Sequence, residues 1–116
     1  MLKLNIKRLI TKEVSPMEHK EKRVLEPMVG VAHNDDDTGF YVEIDLAGAS
    51  KNTVELDMGK NCFCITAEGD DFKYESCYTF AHEVKPDEAK AKFESGLLSI
   101  DVPFEETTRG YKVTVE

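Results

Sequence analysis

The sequence AKFESGLLSIDVP, residues 91–103, decides the fold. Apolar and polar residues alternate on both sides of Ser95 and Gly96, and a period of two indicates a pair of β-strands. Gly96 supplies the positive φ that a tight hairpin turn requires. Pro103 ends the second strand, because proline has no N–H group for a ladder. One face of this hairpin must be buried, so the rest of the chain has to supply a partner surface.

The composition predicts one small domain. A chain of 116 residues can bury a modest core, and 41% hydrophobic with 33% charged residues is typical of soluble globular proteins. No apolar run approaches the roughly 18 residues that span a bilayer. The N-terminus also lacks the apolar segment of a signal peptide. These features predict a cytoplasmic protein without a membrane partner.

The net charge of −8 is distributed unevenly. Residues 1–25 carry seven Lys and Arg against three Glu, whereas the remainder carries 8 basic against 20 acidic residues. An acidic body argues against nucleic acid as a partner. Residues 1–26 are interpreted as a basic arm, with a flexible linker over 13–26. The arm could bind an acidic partner or remain solvated, and both alternatives stay open.

Further alternating segments precede the hairpin. They lie at 27–31, 40–46, 53–58, 62–66 and 73–80, with a loop or single helical turn at 86–88. Seven short strands without a helical period indicate an all-β sandwich or barrel. The residues predicted to be buried between two sheets are Val42, Ile44, Leu46, Val54, Leu56, Phe63, Ile65, Tyr78, Phe80, Phe93, Leu98 and Ile100.

No motif for catalysis or metal binding is found. The chain has no G-x-S-x-G, Walker or H-E-x-x-H sequence, and His19, His33 and His82 lack ligand spacing. The three Asp residues at 35–37 lack the closing Glu of a calcium loop, so a solvated hairpin loop is favoured. The sequence therefore predicts neither an enzyme, a cofactor nor a bound metal.

Several stretches, in order, resemble the α-crystallin domain of the small heat-shock proteins. Residues 91–98 follow that family's A-x-x-x-N-G-x-L pattern with Ser in place of Asn, so its fold signature falls on Ala91, Gly96, Leu98 and Pro103. Tyr-Val-Glu-Ile-Asp-Leu-Ala-Gly at 41–48 resembles YVVEVDLPG. Residues 61–66 resemble NVLTIS, and residues 78–87 resemble SFTLPEEVDPD. The resemblance implies an immunoglobulin-like antiparallel β-sandwich of about seven to eight strands over 27–104, followed by a tail over 105–116.

The resemblance also implies a binding groove. In the family, a groove between two strands receives either a tail motif or unfolding client proteins. The groove residues would be Val54, Leu56, Met58, Ala91 and Phe93, and the tail motif would be Val113 and Val115. Two alternatives stay open: Val54, Leu56 and Phe93 are core, with core favoured for Leu56, and residues 113–115 add a strand to their own domain.

The three cysteines, Cys62, Cys64 and Cys77, are an odd number, which disfavours a closed disulfide framework and favours reduced thiols. Alternation puts all three on the outer side of their strands. These strands are neighbours in the resembled fold, so the thiols are expected to cluster on one face. Structural cysteines are the favoured interpretation, with a redox-responsive cluster and a metal site as alternatives.

The function implied by the resemblance is an ATP-independent holdase of the stress response, which binds partly unfolded proteins and limits their aggregation. Self-association would use the tail and a sandwich edge. Prokaryotic members carry a long dimerising loop where this chain has about four residues, near 68–73. The alternative is therefore a monomeric or dimeric co-chaperone module of the CS type that binds a folded partner.

Overall fold

The computed structural model describes residues 21–105 and 112–116, and within them the fold is all-β. Eight strands form two four-stranded sheets, in the orders β1-β6-β5-β4 and β2-β3-β8-β7. The strands are β1 (Arg23–Leu25), β2 (Met28–His33), β3 (Gly39–Asp45), β4 (Glu55–Met58), β5 (Cys62–Glu68), β6 (Phe72–Thr79), β7 (Lys90–Glu94) and β8 (Leu97–Pro103). Short 3₁₀ turns occupy Lys51–Thr53 and Pro86–Glu88. The predicted β-sandwich is confirmed.

The hairpin of β7 and β8 forms around the predicted turn. Ser95 and Gly96 have φ values of 52° and 82°, and a two-residue turn with positive φ at both positions matches the twist of the flanking strands. The backbone N–H of Leu46 donates to the carbonyl of Gly96 at 2.7 Å. The turn is thereby fixed against the end of β3, which pairs with β8 over seven residues.

The core lies between the two sheets and is built from the inward residues of β3, β5 and β8. Its buried members are Phe40, Val42, Ile44, Leu46, Phe63, Ile65, Ala67, Phe80, Val84, Leu98, Ile100, Val102 and Phe104. Val84 and Phe104 come from segments outside the eight strands and were missed, although they form an isolated bridge with each other. Aromatic rings meet at one end, where Phe40 stacks on Phe80 with centroids 5.1 Å apart.

Four residues predicted for the core are not fully buried. Tyr78 is 38% exposed, because it lies near the end of β6, where the described part of the chain supplies no second neighbouring strand. Leu56 and Phe93 are half-buried and pack against the core from the last strands of their sheets, and Val54 does so from the position directly before β4. The prediction of a buried Tyr78 is therefore wrong, and the other three are core residues only in part.

The first strand corrects the interpretation of residues 13–26 as a linker. Arg23–Leu25 pairs in parallel with Phe72–Tyr74, and this is a parallel pairing in an otherwise antiparallel pair of sheets. Lys22 Nζ donates to Glu68 Oε1 at 2.8 Å and to the Gly69 carbonyl at 3.0 Å. The hydrogen bond from Lys22 and its positive charge lower the pKa of Glu68. The rest of the predicted arm, with His19, lies outside the described residues.

Candidate functional site at the β4 and β7 edge

The last strands of the two sheets lie at the same edge of the sandwich. β1 and β2 each begin one sheet, and only Glu26 and Pro27 connect them. Two strands with so short a connection must occupy the same edge. β4 and β7, which end the two sheets, are therefore together at the opposite edge, where each has a strand neighbour on one side only among the described residues.

The β4 side of this edge has an apolar inner face and an acidic outer face. Leu56 and Met58 alternate with Glu55 and Asp57, and the two apolar side chains are half-buried against the core. Val54, which directly precedes the strand, has the same environment. Each of these side chains thus packs partly against the core of the sandwich and is partly exposed to solvent.

The β7 side continues the apolar surface. Ala91 and Phe93 lie opposite Ile100 and Leu98 of β8, which both point into the core. Phe93 is half-buried against that core, whereas Ala91 is exposed. Because Ala91 is on the inward side of its strand and still reaches solvent, the interior of the sandwich opens towards solvent at this point.

We refer to Val54, Leu56, Met58, Ala91 and Phe93 as the edge groove. The structure brings four of these predicted residues to the edge strands β4 and β7 and places the fifth, Val54, directly before β4, and no member is fully buried. The unpaired backbone groups of an edge strand and a row of apolar side chains can accept an extended segment as an added strand. The binding of a client or tail to the edge groove stays a prediction.

The tail motif is exposed. Val113 and Val115 are 79% and 89% exposed, and residues 112–116 form no strand. The alternative that residues 113–115 add a strand to their own domain is therefore not seen. Residues 106–111, which connect the tail to the sandwich, are outside the described part of the chain.

Two histidines meet at the end of the sandwich where Phe40 and Phe104 are packed. The rings of His33 and His82 are 5.6 Å apart between centroids, and His33 Nδ1 lies within hydrogen-bond distance of Asp37 Oδ1. Both histidines are exposed, and their proximity was missed because the sequence separates them by 49 positions. Among the described residues, no group of three or more side chains has the arrangement of a metal site.

The cysteines lie on one outer face, as expected, but two of them are bonded. Cys64 on β5 is directly opposite Cys77 on β6, and their sulfur atoms form a disulfide. Cys62 is free and exposed. The expectation of three reduced thiols is therefore wrong, because the register of β5 and β6, which the sequence does not reveal, puts Cys64 and Cys77 side by side.

The connection between β5 and β6 is as short as predicted. Only residues 69–71 separate the two strands, and the N–H of Gly69 donates to the carbonyl of Phe72 at 2.9 Å. β1 covers the other side of β6 at Phe72–Tyr74 and no further. The edge of β6 over residues 75–79 is thus without a partner strand in the described part of the chain.

Comparisons with known proteins find similarity to small heat-shock proteins. No family model matches the chain, and no helix within the described ranges is long and apolar enough to cross a membrane. Small heat shock protein C4 of Rickettsia felis is 22% identical over 113 residues, which cover 84% of this chain and 68% of that protein.

Solved structures give the same assignment of the fold. A mutant of hsp14.1 from Sulfolobus solfataricus P2 superposes with a TM-score of 0.64 at 20% identity, covering 92% of this chain and 97% of that one. Heat shock protein 16.0 from Schizosaccharomyces pombe gives a TM-score of 0.62 at 19% identity, over 79% of this chain and 98% of that one. The chain therefore shares the fold of these small heat-shock proteins, with a very short connection between β5 and β6 where the resemblance leads us to expect a dimerisation loop.

Proposed function

We propose that this protein is an ATP-independent holdase, which binds partly unfolded proteins and limits their aggregation. Its similarity to small heat-shock proteins supports a chaperone role of that family. The observation that carries the finer proposal is the edge groove, where five apolar side chains, four on the two edge strands and Val54 directly before β4, are half-buried or exposed. We further propose a cytoplasmic location and no catalytic activity.

An unfolding client would bind as an extended segment. Such a segment can pair with the open side of β4 or β7 and place alternate side chains between Leu56 and Phe93. This mode requires only apolar residues at every second position, so it selects a folding state rather than a particular sequence. Partly unfolded chains expose such segments, whereas folded proteins bury them.

The tail motif would compete for the same groove. Two fully buried valines contribute about 1.5–3 kcal/mol each, and the cost of ordering the tail offsets part of this gain. A contact of this strength opens and closes readily, so a client can displace it. When the tail comes from a neighbouring copy, the same contact links subunits, and β6 over residues 75–79 offers a second surface for self-association.

The groove can be tested with a substitution at its exposed position. Ala91→Glu puts a carboxylate where a client would be bound, and burying a polar group without a partner costs roughly 1–3 kcal/mol. We expect that A91E will be needed at a roughly tenfold higher concentration than wild type for the same suppression of aggregation of a thermally unfolding client. Aggregation is followed by light scattering. Lys92→Gln, on the opposite face of β7, changes the charge equally and should retain wild-type suppression.

The result that would refute the holdase is a lack of suppression by the wild-type protein at equimolar concentration. Equal suppression by A91E and wild type would instead leave a holdase that binds clients elsewhere. Deletion of residues 111–116 should shrink any assembly formed through the tail. An unchanged size in solution would exclude that role.

The second candidate is a monomeric or dimeric co-chaperone module of the CS type that binds a folded partner. The specific observation in its favour is the connection over residues 69–71, which is too short to carry a strand to a second subunit. Solution size separates the two candidates, because a stable monomer at micromolar concentration without holdase activity supports the module. A large assembly that suppresses aggregation supports the holdase.

A further inference from the structure

All three cysteines of the chain lie on the outer face of the sheet that contains β4, β5 and β6. Cys64 and Cys77 are bonded across the two strands, with a sequence separation of 13. Cys62 is two residues before Cys64 on the same face, and its opposite residue on β6 is Thr79. The strand register thus divides the cysteines into one bonded pair and one free thiol.

The register also prevents an exchange of partners within the sheet. Diagonal neighbours on facing strands have Cβ atoms up to roughly 7–8 Å apart, whereas a disulfide requires about 3.5–4.5 Å. A bond between Cys62 and Cys77 would need a slip of two residues, which would misplace the buried Phe63 and Ile65. The pair therefore has two states, bonded as Cys64–Cys77 or open.

The bond is located where β6 is held least. β5 pairs with β6 along residues 73–79, but β1 covers only Phe72–Tyr74 on the other side. Residues 75–79 consequently have one strand neighbour within the described chain. Cys77 is in the middle of this segment, so the disulfide is its covalent attachment to the sheet.

The bond is also open to attack from solution. Cys77 is exposed and Cys64 is half-buried, and the residue beyond Cys64 in the same row is Asp57, which is exposed as well. A small thiol can reach the sulfur of Cys77 without unfolding the sheet. Reducing compartments keep accessible disulfides of this kind transient.

We propose that the Cys64–Cys77 disulfide is a redox switch that controls how firmly the open edge of β6 is held. A dithiol reductant attacks Cys77 Sγ through one thiolate, forms a mixed disulfide and releases Cys64 as a thiolate, which takes up a proton. The second thiol of the reductant then displaces Cys77. Two electrons and two protons pass to the protein, and the reductant leaves as a disulfide.

The two states differ at residues 75–79. In the oxidised protein this segment is tied to β5 in a fixed register, and its outward N–H and C=O groups form a rigid strand edge. In the reduced protein only ladder hydrogen bonds and packing hold it, so it opens more often. Residues 72–74 keep β1 and β5 in both states.

Amide hydrogen exchange of the full chain tests the switch directly. After incubation with glutathione disulfide or with dithiothreitol, we expect residues 75–79 to exchange at least about tenfold faster in the reduced protein. Residues 72–74 should change by less than about threefold, because β1 still covers them. Equal exchange of residues 75–79 in both states would overturn the proposal.

Thiol titration and variants supply the controls. The native oxidised protein should present one reactive thiol, from Cys62, and the reduced protein three. Cys62→Ser should keep the exchange response to dithiothreitol, whereas C64S/C77S should lose it and behave as reduced wild type. Three reactive thiols after treatment with glutathione disulfide would refute the switch. If the double variant does not fold, the comparison of hydrogen exchange between oxidised and reduced wild type is sufficient to test the proposal.

Discussion

The close approach of β3 and β8 at Gly39 gives a strong prediction about stability. A Cβ atom at this position would be 2.2 Å from the Val102 carbonyl oxygen and 2.7 Å from the Cα of Pro103. Both are backbone atoms of the paired strand, so no side-chain rotation relieves the overlap. Gly39→Ala must push the two strands apart or fray the end of their ladder, which exposes part of the buried Phe40, Val102 and Phe104.

The magnitude follows from these side chains. Fully burying one large apolar side chain contributes about 1.5–3 kcal/mol, so fraying that exposes roughly one of them, together with the lost pairing, should cost about 2–4 kcal/mol. For a domain of this size, 1 kcal/mol lowers the thermal midpoint by about 4–8 °C. We therefore expect G39A to unfold about 10–25 °C below wild type, measured by circular dichroism and by urea titration.

A matched control is available in the neighbouring strand. A Cβ atom at Gly30 of β2 would have no other atom within 4 Å, and alanine loses less backbone entropy than glycine on folding. Gly30→Ala should therefore unfold at or slightly above the wild-type midpoint. A G39A midpoint within about 3 °C of G30A would refute the argument from strand contact.

Three further predictions concern single residues. Phe63→Ala should lower the free energy of unfolding by about 3–5 kcal/mol in urea titration, because Phe63 is fully buried and contacts Tyr78 and Phe80. Glu68→Gln removes the carboxylate whose pKa Lys22 lowers below 4.5. Above that pH, the wild type should therefore have a higher thermal midpoint than E68Q. This advantage should disappear as the pH falls through the lowered pKa. Gly48→Ala should destabilise the domain, because φ is +85° and the added Cβ would be 2.8 Å from the Phe72 ring, whereas Gly59→Ala should have a small effect.

The sequence predicted the parts of the fold that depend on local pattern. Alternation located β3 and β8, and the turn at Ser95 and Gly96 located β7 as the hairpin partner of β8. Both signals are available in the sequence because a period of two and a positive φ are local properties. β1 was missed since three residues are too few to show alternation. Its parallel pairing with β6 is specified by tertiary packing and by Lys22, which lies 46 positions from Glu68.

The candidate site, like the fold, was predicted only where it depends on local pattern. The inward side of β4 and β7 followed from alternation, but its partial burial depends on which strands end the sheets, and the order of strands is not visible in a sequence. The exposure of Tyr78 could not be predicted for the same reason. Alternation shows which side of β6 Tyr78 occupies, but not that the pairing with β1 stops at Tyr74 and leaves this part of β6 without a second strand among the described residues. The Cys64–Cys77 bond likewise needed the register between two strands, in addition to the face that each residue occupies.

Because of the order β1-β6-β5-β4, this sheet has two separate edges at which a further strand can be added. The open side of β4 and the uncovered part of β6 belong to opposite edges of one sheet, separated by β5 and thus by about 10 Å. A strand bound at one edge does not obstruct the other, and the two surfaces are unlike. Contacts that join unlike surfaces extend head to tail and close only at a particular rotation. The geometry of a single subunit therefore permits chains and rings of variable length as readily as a closed pair.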